Sequence, residues 1–449
     1  MQSINVNEMI DNSKFNRFHL VLLICCIFVI VCDGYDMFMI GAILPALMKE
    51  WHISPVEAGT ISSSALFGMM LGALLFGPVA DKFGRKNVIL TCTMIFSIFT
   101  FSSGFASGIS SFILQRFIAG LGLGGVMPNL IALITEYSPK KIRSTLISVM
   151  FSGHALGGVV ASLGALALLP HYGWRAVVWL SILPLFILPV LYKVLPDSIQ
   201  FYMLKNEKHK VKQILNKLSL NKIQDDRVEF VLNTQDETKG FPVKYLFKER
   251  RSLSTMMFWV SFFLCLLVMY GLSTWLPKIM QTAGYPLGSS LTFLLTLNIG
   301  AVIGAICGGK LADQFGARKV LITFFLIAFT SLTLLSFKPN MILLYILIAI
   351  AGGTTTGTQI IANSYVSQFY PTEIRSTGIG WALGIGRIGG ILGPAIGGFL
   401  LSKSLPIQYN FLSFAVPCII CALAIMFVQE KYGQRNQAIK VESDIQIVG

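Results

Sequence analysis

Gly77-Pro-Val-Ala-Asp81-Lys-Phe-Gly84-Arg85-Lys86 returns further along the chain as Gly309-Lys-Leu-Ala-Asp313-Gln-Phe-Gly316-Ala-Arg318, at an offset of 232 (313 − 81). The same offset relates Pro139-Lys-Lys-Ile-Arg143-Ser144-Thr145 to Pro371-Thr-Glu-Ile-Arg375-Ser376-Thr377, and Gly157-Gly158 to Gly389-Gly390. Three matches in one register mark a duplicated unit. Each copy lies between long apolar runs, so the repeat is one of membrane helices, of the parallel kind in which two halves are related by an axis along the membrane normal.

Outward from these motifs the chain is 54% hydrophobic and only 12% charged, against about 25% charged in soluble domains. Runs of roughly 20 apolar residues match a hydrocarbon core of about 30 Å. They are continuous rather than alternating at period 2, which predicts bundled helices and not a barrel. Twelve spans are expected, at about 18 to 47, 55 to 80, 87 to 105, 109 to 136, 143 to 169, 174 to 195, 254 to 277, 288 to 312, 319 to 337, 340 to 368, 376 to 402 and 407 to 429. The expected division is a six-helix half over 1–195, a central loop over 196–252, a second six-helix half over 253–429 and a tail over 430–449. The first apolar run continues past Asp33 and Asp36 without a small-residue cleavage site, which favours a span over a signal peptide.

The formal charge of +14 has to be located before it is interpreted. One side of the expected topology collects Lys14, Arg17, Lys82, Arg85, Lys86, Lys140, Lys141, Arg143, thirteen residues from Lys193 to Arg251, Lys310, Arg318, Lys319, Arg375, Lys431, Arg435 and Lys440, 28 of the 35 basic residues. The other side holds Lys49, Arg175, Lys278, Lys338 and Lys403. By the positive-inside rule both termini and the central loop are expected in the cytoplasm, with the charge reflecting topology rather than nucleic-acid binding. The central loop is expected to form short amphipathic helices at the inner surface, near lipid headgroups. Most of the eight cysteines lie within apolar runs, and Cys418-x-x-Cys421 is read as packing, so no metal or cofactor is expected.

Gly77-x-x-x-Asp81-Lys-x-Gly84-Arg85-Lys86, with its degenerate second copy, resembles the signature between helices 2 and 3 of the major facilitator superfamily, and the likeness extends over the whole chain. Asp33-Gly34-Tyr35-Asp36 and Arg116-Phe-x-Ala-Gly120-Leu-Gly-Leu-Gly124-Gly125-x-Met127-Pro128-Asn129 resemble signatures of the aromatic acid/proton symporter branch. Lys14-Phe-Asn-Arg17-Phe-His19 and Leu44-Pro45-x-Leu-Met-Lys49-Glu50-Trp51 look closest to its benzoate and hydroxybenzoate transporters. The resemblance implies a monomeric inner-membrane carrier that takes up a small aromatic carboxylate with protons by alternating access. It also implies a gating charge cluster, in which an acid at a helix end facing a basic loop locks one conformation. Asp81, Gly84, Arg85, Lys86, Glu136 and Arg143 are its candidates in one half, with Asp313, Arg318, Glu373 and Arg375 in the other.

Asp33 and Asp36 lie 12 to 16 residues into the first span, about 18 to 24 Å along a helix. A carboxylate at that depth is costly unless paired or protonated. Spaced i and i+3, the two share a face where mutual repulsion favours taking up a proton, and the sequence does not distinguish which of them carries it. Arg116, two turns into the fourth span, falls in the same half of the bilayer, so a salt bridge between the first and fourth helices is feasible, either as a brace or as a bond that opens on protonation. Arg387 has no acid at matching depth and suits a substrate carboxylate, which a guanidinium grips with two hydrogen bonds. His154 lies at a nearly equivalent depth in the other half, where it either packs or titrates. Tyr35, Trp275, Trp381, Phe67 and Tyr270 are candidate walls for an aromatic ring, and Asn129, Asn298, Gln359 and Asn363 candidate hydrogen-bonding groups for the substrate or between helices. The run Gly120-x-Gly122-x-Gly124-Gly125 has no strand before it and reads as close helix packing, not a phosphate loop.

Two rivals remain at this level: a proton-driven exporter or carrier of another organic anion such as a dicarboxylate or muconate, and a sensor of aromatic acids that does not transport them. An enzyme is excluded from expectation because no nucleophile triad or metal cluster stands outside the spans.

Overall fold

A computed structural model describes residues 3–205, 207–218, 229–231, 243–337, 339–371, 374–403 and 405–433. We label the membrane-crossing helices α1 (Arg17–Trp51), α2 (Pro55–Phe83), α3 (Arg85–Ser103), α4 (Ile109–Tyr137), α5 (Arg143–Trp179), α6 (Leu183–Val194), α7 (Ser252–Thr282), α8 (Leu287–Phe315), α9 (Ala317–Leu335), α10 (Met341–Phe369), α11 (Arg375–Ser402) and α12 (Ile407–Met426). Among the described residues, eleven continuous segments are long and apolar enough to cross a membrane. The fifth, Thr145–Val194, is two spans: Gly173 leaves helical geometry with φ of 74° and turns the chain between them. The protein is therefore a nearly all-helical membrane protein with twelve crossings, as the apolar runs lead one to expect.

The helices exist because lipid offers the backbone no hydrogen-bond partners. What positions them is the glycine pattern, and it repeats. A Cβ on Gly68 would overlap the carbonyl oxygen of Phe117, and one on Gly72 that of Leu121, so α2 lies backbone to backbone on α4. At the same offset of 232 residues Gly300 meets Ala349 and Gly304 meets Gly353, setting α8 on α10. Gly157 of α5 lies on Val31 of α1, and its counterpart Gly389 of α11 on Phe263 of α7. Even the signature turns agree: Gly84 has φ 92° and ψ 142°, Gly316 φ 89° and ψ 135°, a conformation that side-chain-bearing residues rarely adopt. The duplication read from sequence is thus a duplication of contacts.

The chain falls into two compact units. One comprises Met1–Met37, Phe67–Gly157 and Arg175–Glu237, and the other Phe38–Leu66, Gly158–Trp174 and Thr238–Gly449. Within the first, α3 packs on α4 and α6. The short strand β1 (Ser3–Asn5) pairs in parallel with β2 (Glu229–Val231). A helix over Val6–Asp11, capped by the Asn5 side chain, stands beside the helix Lys208–Leu218, whose Val211, Ile214, Leu215 and Leu218 are buried. Of the amphipathic helices expected in the central loop, this one and the shorter Ile199–Leu204 lie among the described residues. In the second unit α7 packs on α11 and α12, α8 on α10, and α9 on α10 and α12.

Gly304→Val should force α8 from α10, at a cost of about 1–3 kcal/mol for overpacking, whereas Gly309→Ala, with nothing within 4 Å of the new Cβ, should be neutral. Thermal unfolding of the purified protein in detergent compares the two, and equal melting temperatures would refute the backbone contact.

Candidate substrate and proton site

Asp33, Gly34, Tyr35 and Asp36 occupy one turn of α1, and each is committed differently. Gly34 is the contact point with α5: a Cβ there would overlap the carbonyl oxygen of His154. That closeness carries the His154 ring to Asp33, with Nδ1 3.1 Å from Oδ2. Tyr35 does not stand open as a ring wall. Its hydroxyl donates to the Val177 carbonyl oxygen at 2.5 Å, tying α1 to the start of the sixth span, just past the turn at Gly173.

Asp36 faces α3 and α4 instead. Arg116 grips it with two nitrogens, Nη1 to Oδ1 and Nη2 to Oδ2, both at 2.8 Å, and both side chains are 1% exposed. Thr100 of α3 closes the group, donating to Asp36 Oδ1 at 2.5 Å and accepting from Arg116 Nη1 at 3.0 Å. A bidentate, charge-assisted pair is a strong form of this interaction, and its complete geometry offsets the desolvation of two charges out of water. The structure therefore separates acids that the sequence leaves equivalent. Asp36 has every oxygen engaged, whereas Asp33 Oδ1 is buried and accepts no hydrogen bond from the described residues.

In the second unit Arg387 lies 12 residues, about 18 Å, along α11. It is half-buried, and among the described residues it has no hydrogen-bond or ion-pair partner. Gln359 and Asn363 are half-buried on α10, and Asn363 Oδ1 lacks a partner among the described residues. Other candidates prove to be fixed in packing. Trp275 is fully buried and its indole N–H donates to the Pro394 carbonyl oxygen at 2.8 Å, so it braces α7 against α11. Trp381 is 41% exposed and stacks on Trp259 at 5.7 Å. Asn129 donates to Gly125 of its own helix at 2.7 Å, and Asn298 is spent on α5.

The Major Facilitator Superfamily model matches residues 26–307 and 288–444. The chain belongs to the major facilitator superfamily. It is a transporter and not an enzyme. It is 46% identical over 437 residues to the benzoate transport protein of Acinetobacter baylyi, covering 96% of this chain and 94% of that one. It is 37% identical over 402 residues to the gentisate transporter of Corynebacterium glutamicum, covering 89% and 85%. Its fold matches an inward-open structure of the xylose transporter XylE from E. coli with a TM-score of 0.73 at 17% identity, over 94% of this chain and 99% of that one.

The superfamily signature forms a charge cluster here, with Arg85 and Glu136 among its members and some of the other expected residues replaced. Asp81 and Asp313 are exposed and make no ion pair among the described residues. The acid is Glu136, which pairs with Arg85 at 2.6 Å and accepts from Ser198 Oγ at 2.8 Å and Gln200 N at 3.0 Å. Asp197 accepts from the backbone of Lys86 at 3.2 Å, and its carboxylate fills the space a Cβ on Gly84 would need. Arg143, expected beside Glu136, instead pairs with Asp11 at 2.5 Å and donates to the Ser138 carbonyl oxygen. In the second copy Arg318 meets Glu430 at 3.5 Å and donates to the Met426 carbonyl oxygen. Glu373 lies outside the described residues, and Arg375 begins α11. Sequence reasoning missed Thr100, Asp11, Asp197, Ser198 and Glu430. Pro196-Asp197-Ser198 directly after a span carried a helix-capping signal that the search for buried charge passed over.

Asp36→Asn or Arg116→Gln alone leaves one charge buried without its partner, a loss of about 3–5 kcal/mol. The double variant should lose less than the sum, and thermal unfolding of all three measures the coupling; additive losses would mean that the pair is not a unit.

Proposed function

We propose that this protein imports a small aromatic monocarboxylate such as benzoate or a hydroxybenzoate together with a proton, in a bacterial inner membrane with both termini in the cytoplasm. The observation that carries the reading is Arg387, a guanidinium within a membrane helix with no anion to pair with among the described residues. A substrate carboxylate supplies the missing charge and matches the guanidinium's two donors. The name of the A. baylyi relative, a benzoate transport protein at 46% identity, supports an aromatic acid over other organic anions.

Counting charge supports proton coupling. Asp36 and Arg116 cancel each other, while Asp33 and His154 set a carboxylate against an imidazole. A single proton gained or lost by that pair changes the buried charge by one. Loading and unloading this proton changes the cost of burying the α1–α5 contact, which is what an alternating-access carrier needs in order to tie proton entry to a change of state.

Accumulation of labelled benzoate in vesicles, with a proton gradient imposed and then collapsed by a protonophore, tests the reading. Gradient-driven accumulation by the intact protein is expected. Arg387→Ala should weaken apparent affinity by roughly 30- to 1000-fold, the equivalent of about 2–4 kcal/mol for an unpaired charge. Asp33→Asn should abolish uphill accumulation while keeping substrate exchange down its own gradient. A panel of hydroxybenzoates, phenylpropionates and muconate sets the ring specificity. Transport of none of these, with transport of a sugar or a drug instead, would sink the proposal.

A further inference from the structure

Asn298 was a candidate substrate ligand in the sequence, and the structure spends it elsewhere. It is 1% exposed on α8, and its amide nitrogen donates to the Gly158 carbonyl oxygen at 3.2 Å and to Ser162 Oγ at 3.2 Å, both on α5, besides Leu294 of its own helix at 3.1 Å. Its Oδ1 lies 2.5 Å from where a Cβ on Gly158 would be, so a side chain there would displace the amide from this position. Ser162 in turn donates to Gly158 at 2.9 Å, which closes a small ring of polar groups within one compact unit.

That unit joins parts of both sequence halves: residues 38–66 and 158–174, from α1, α2 and α5, pack with α7, α8 and α11. Elsewhere in the joint backbones touch. A Cβ on Gly41 would overlap the Ser273 carbonyl oxygen, and one on Gly398 that of Pro55. One further polar bond crosses it, from Ser63 Oγ to the Ile391 carbonyl oxygen at 2.6 Å. The joint involves the ends of α1, α2 and α5 remote from the basic loops at Lys82–Lys86 and Lys140–Arg143. Taking those loops as cytoplasmic, which rests on the reading above, it closes the outer side.

We propose that the Asn298 amide is the latch of the outer gate, a hydrogen-bonded bolt from α8 into α5 that is drawn each time the outer ends of these helices part. The chemistry suits a latch. An amide buried at membrane depth has no substitute partner in lipid, so its bonds hold the joint shut until water enters to replace them. The bonds are neutral and few, worth enough to bias two states and too little to freeze one. The second half alone carries this group, because the position equivalent to Asn298 in the first half is Leu66.

The test needs no substrate. Full-length protein carrying the reporter Thr274→Cys, at a buried position of α7 next to Ser273, is exposed from outside to a membrane-impermeant maleimide, and labelling above that of the parent is followed. Asn298→Ala should raise the labelling rate roughly 3- to 10-fold, the range set by losing one or two interhelical hydrogen bonds in a membrane. Ser162→Ala removes the acceptor from the opposite helix and should act in the same direction, so the proposal stays testable should Asn298→Ala fail to fold. The double variant should exceed neither single variant by the full product. Unchanged or slower labelling in these variants overturns the latch, and doubly so if benzoate affinity falls with it, which would make Asn298 a ligand. Raised labelling in a protein that transports no aromatic acid would leave the latch standing and remove the substrate reading alone.

Discussion

A guanidinium and a carboxylate held together out of reach of water, Arg116 on Asp36, set the terms for the helices around them. Neither charge is tolerable alone at that depth, and the pair is tolerable only with its geometry complete. Completeness needs α1, α3 and α4 at fixed spacing, since Thr100 supplies the third member from α3. The spacing is given by backbones that touch: Gly68 and Gly72 admit α2 to α4, while Gly34 and Gly157 admit α5 to α1. Small residues drive helix association in a membrane because lipid tails give apolar side chains no reason to leave them. The polar cluster and the glycines are thus one design, with the close contacts making the ion pair possible and the ion pair penalising any loosening of the contacts.

The duplicated half shows which of these features belong to the fold and which to its work. Glycine contacts recur at the common offset, and so do the turn conformations at Gly84 and Gly316. The chemistry does not recur. Asp33 corresponds to Cys265, Asp36 to Val268, Thr100 to Leu332, Arg116 to Ile348 and His154 to Gly386, while Arg387 corresponds to Ala155. The second half replaces the whole acid-base cluster by apolar or small groups and adds a lone guanidinium. A duplicated scaffold has divided its labour: one copy carries groups suited to a proton, and the other carries a group suited to an anion.

The sequence discloses the architecture because its signals are one-dimensional. Run length against bilayer thickness fixes the spans, the offset of 232 fixes the repeat, and a charge inside an apolar run announces itself without any tertiary knowledge. Partner choice is a tertiary event and was not legible. Glu136 and Arg143 are near neighbours in sequence, yet Glu136 is already satisfied by Arg85, Ser198 and Gln200, which leaves Arg143 to Asp11. The offset of 232 sets His154 one residue from the counterpart of Arg387, but what it touches depends on the absence of a side chain at Gly34. Asn298 and Trp275 illustrate the opposite error. A polar or aromatic residue within a span invites a functional reading, while the commonest need of such a residue in lipid is simply a partner on the next helix.

That need supplies a criterion for sorting the buried polar groups. Tyr35, Asn129, Asn298 and Trp275 end on protein atoms, and their free energy is already accounted for in one packed state. Asp33 Oδ1 and Arg387 end on nothing among the described residues. In water such loose ends would be hydrated and meaningless, but along a membrane helix each is a standing cost of several kcal/mol. Such a cost is retained only where something outside the protein relieves it during part of its cycle. An acceptor beside a histidine suits a proton and a two-pronged cation suits a carboxylate, so the two deficits match in chemistry the two ions of a carboxylic acid.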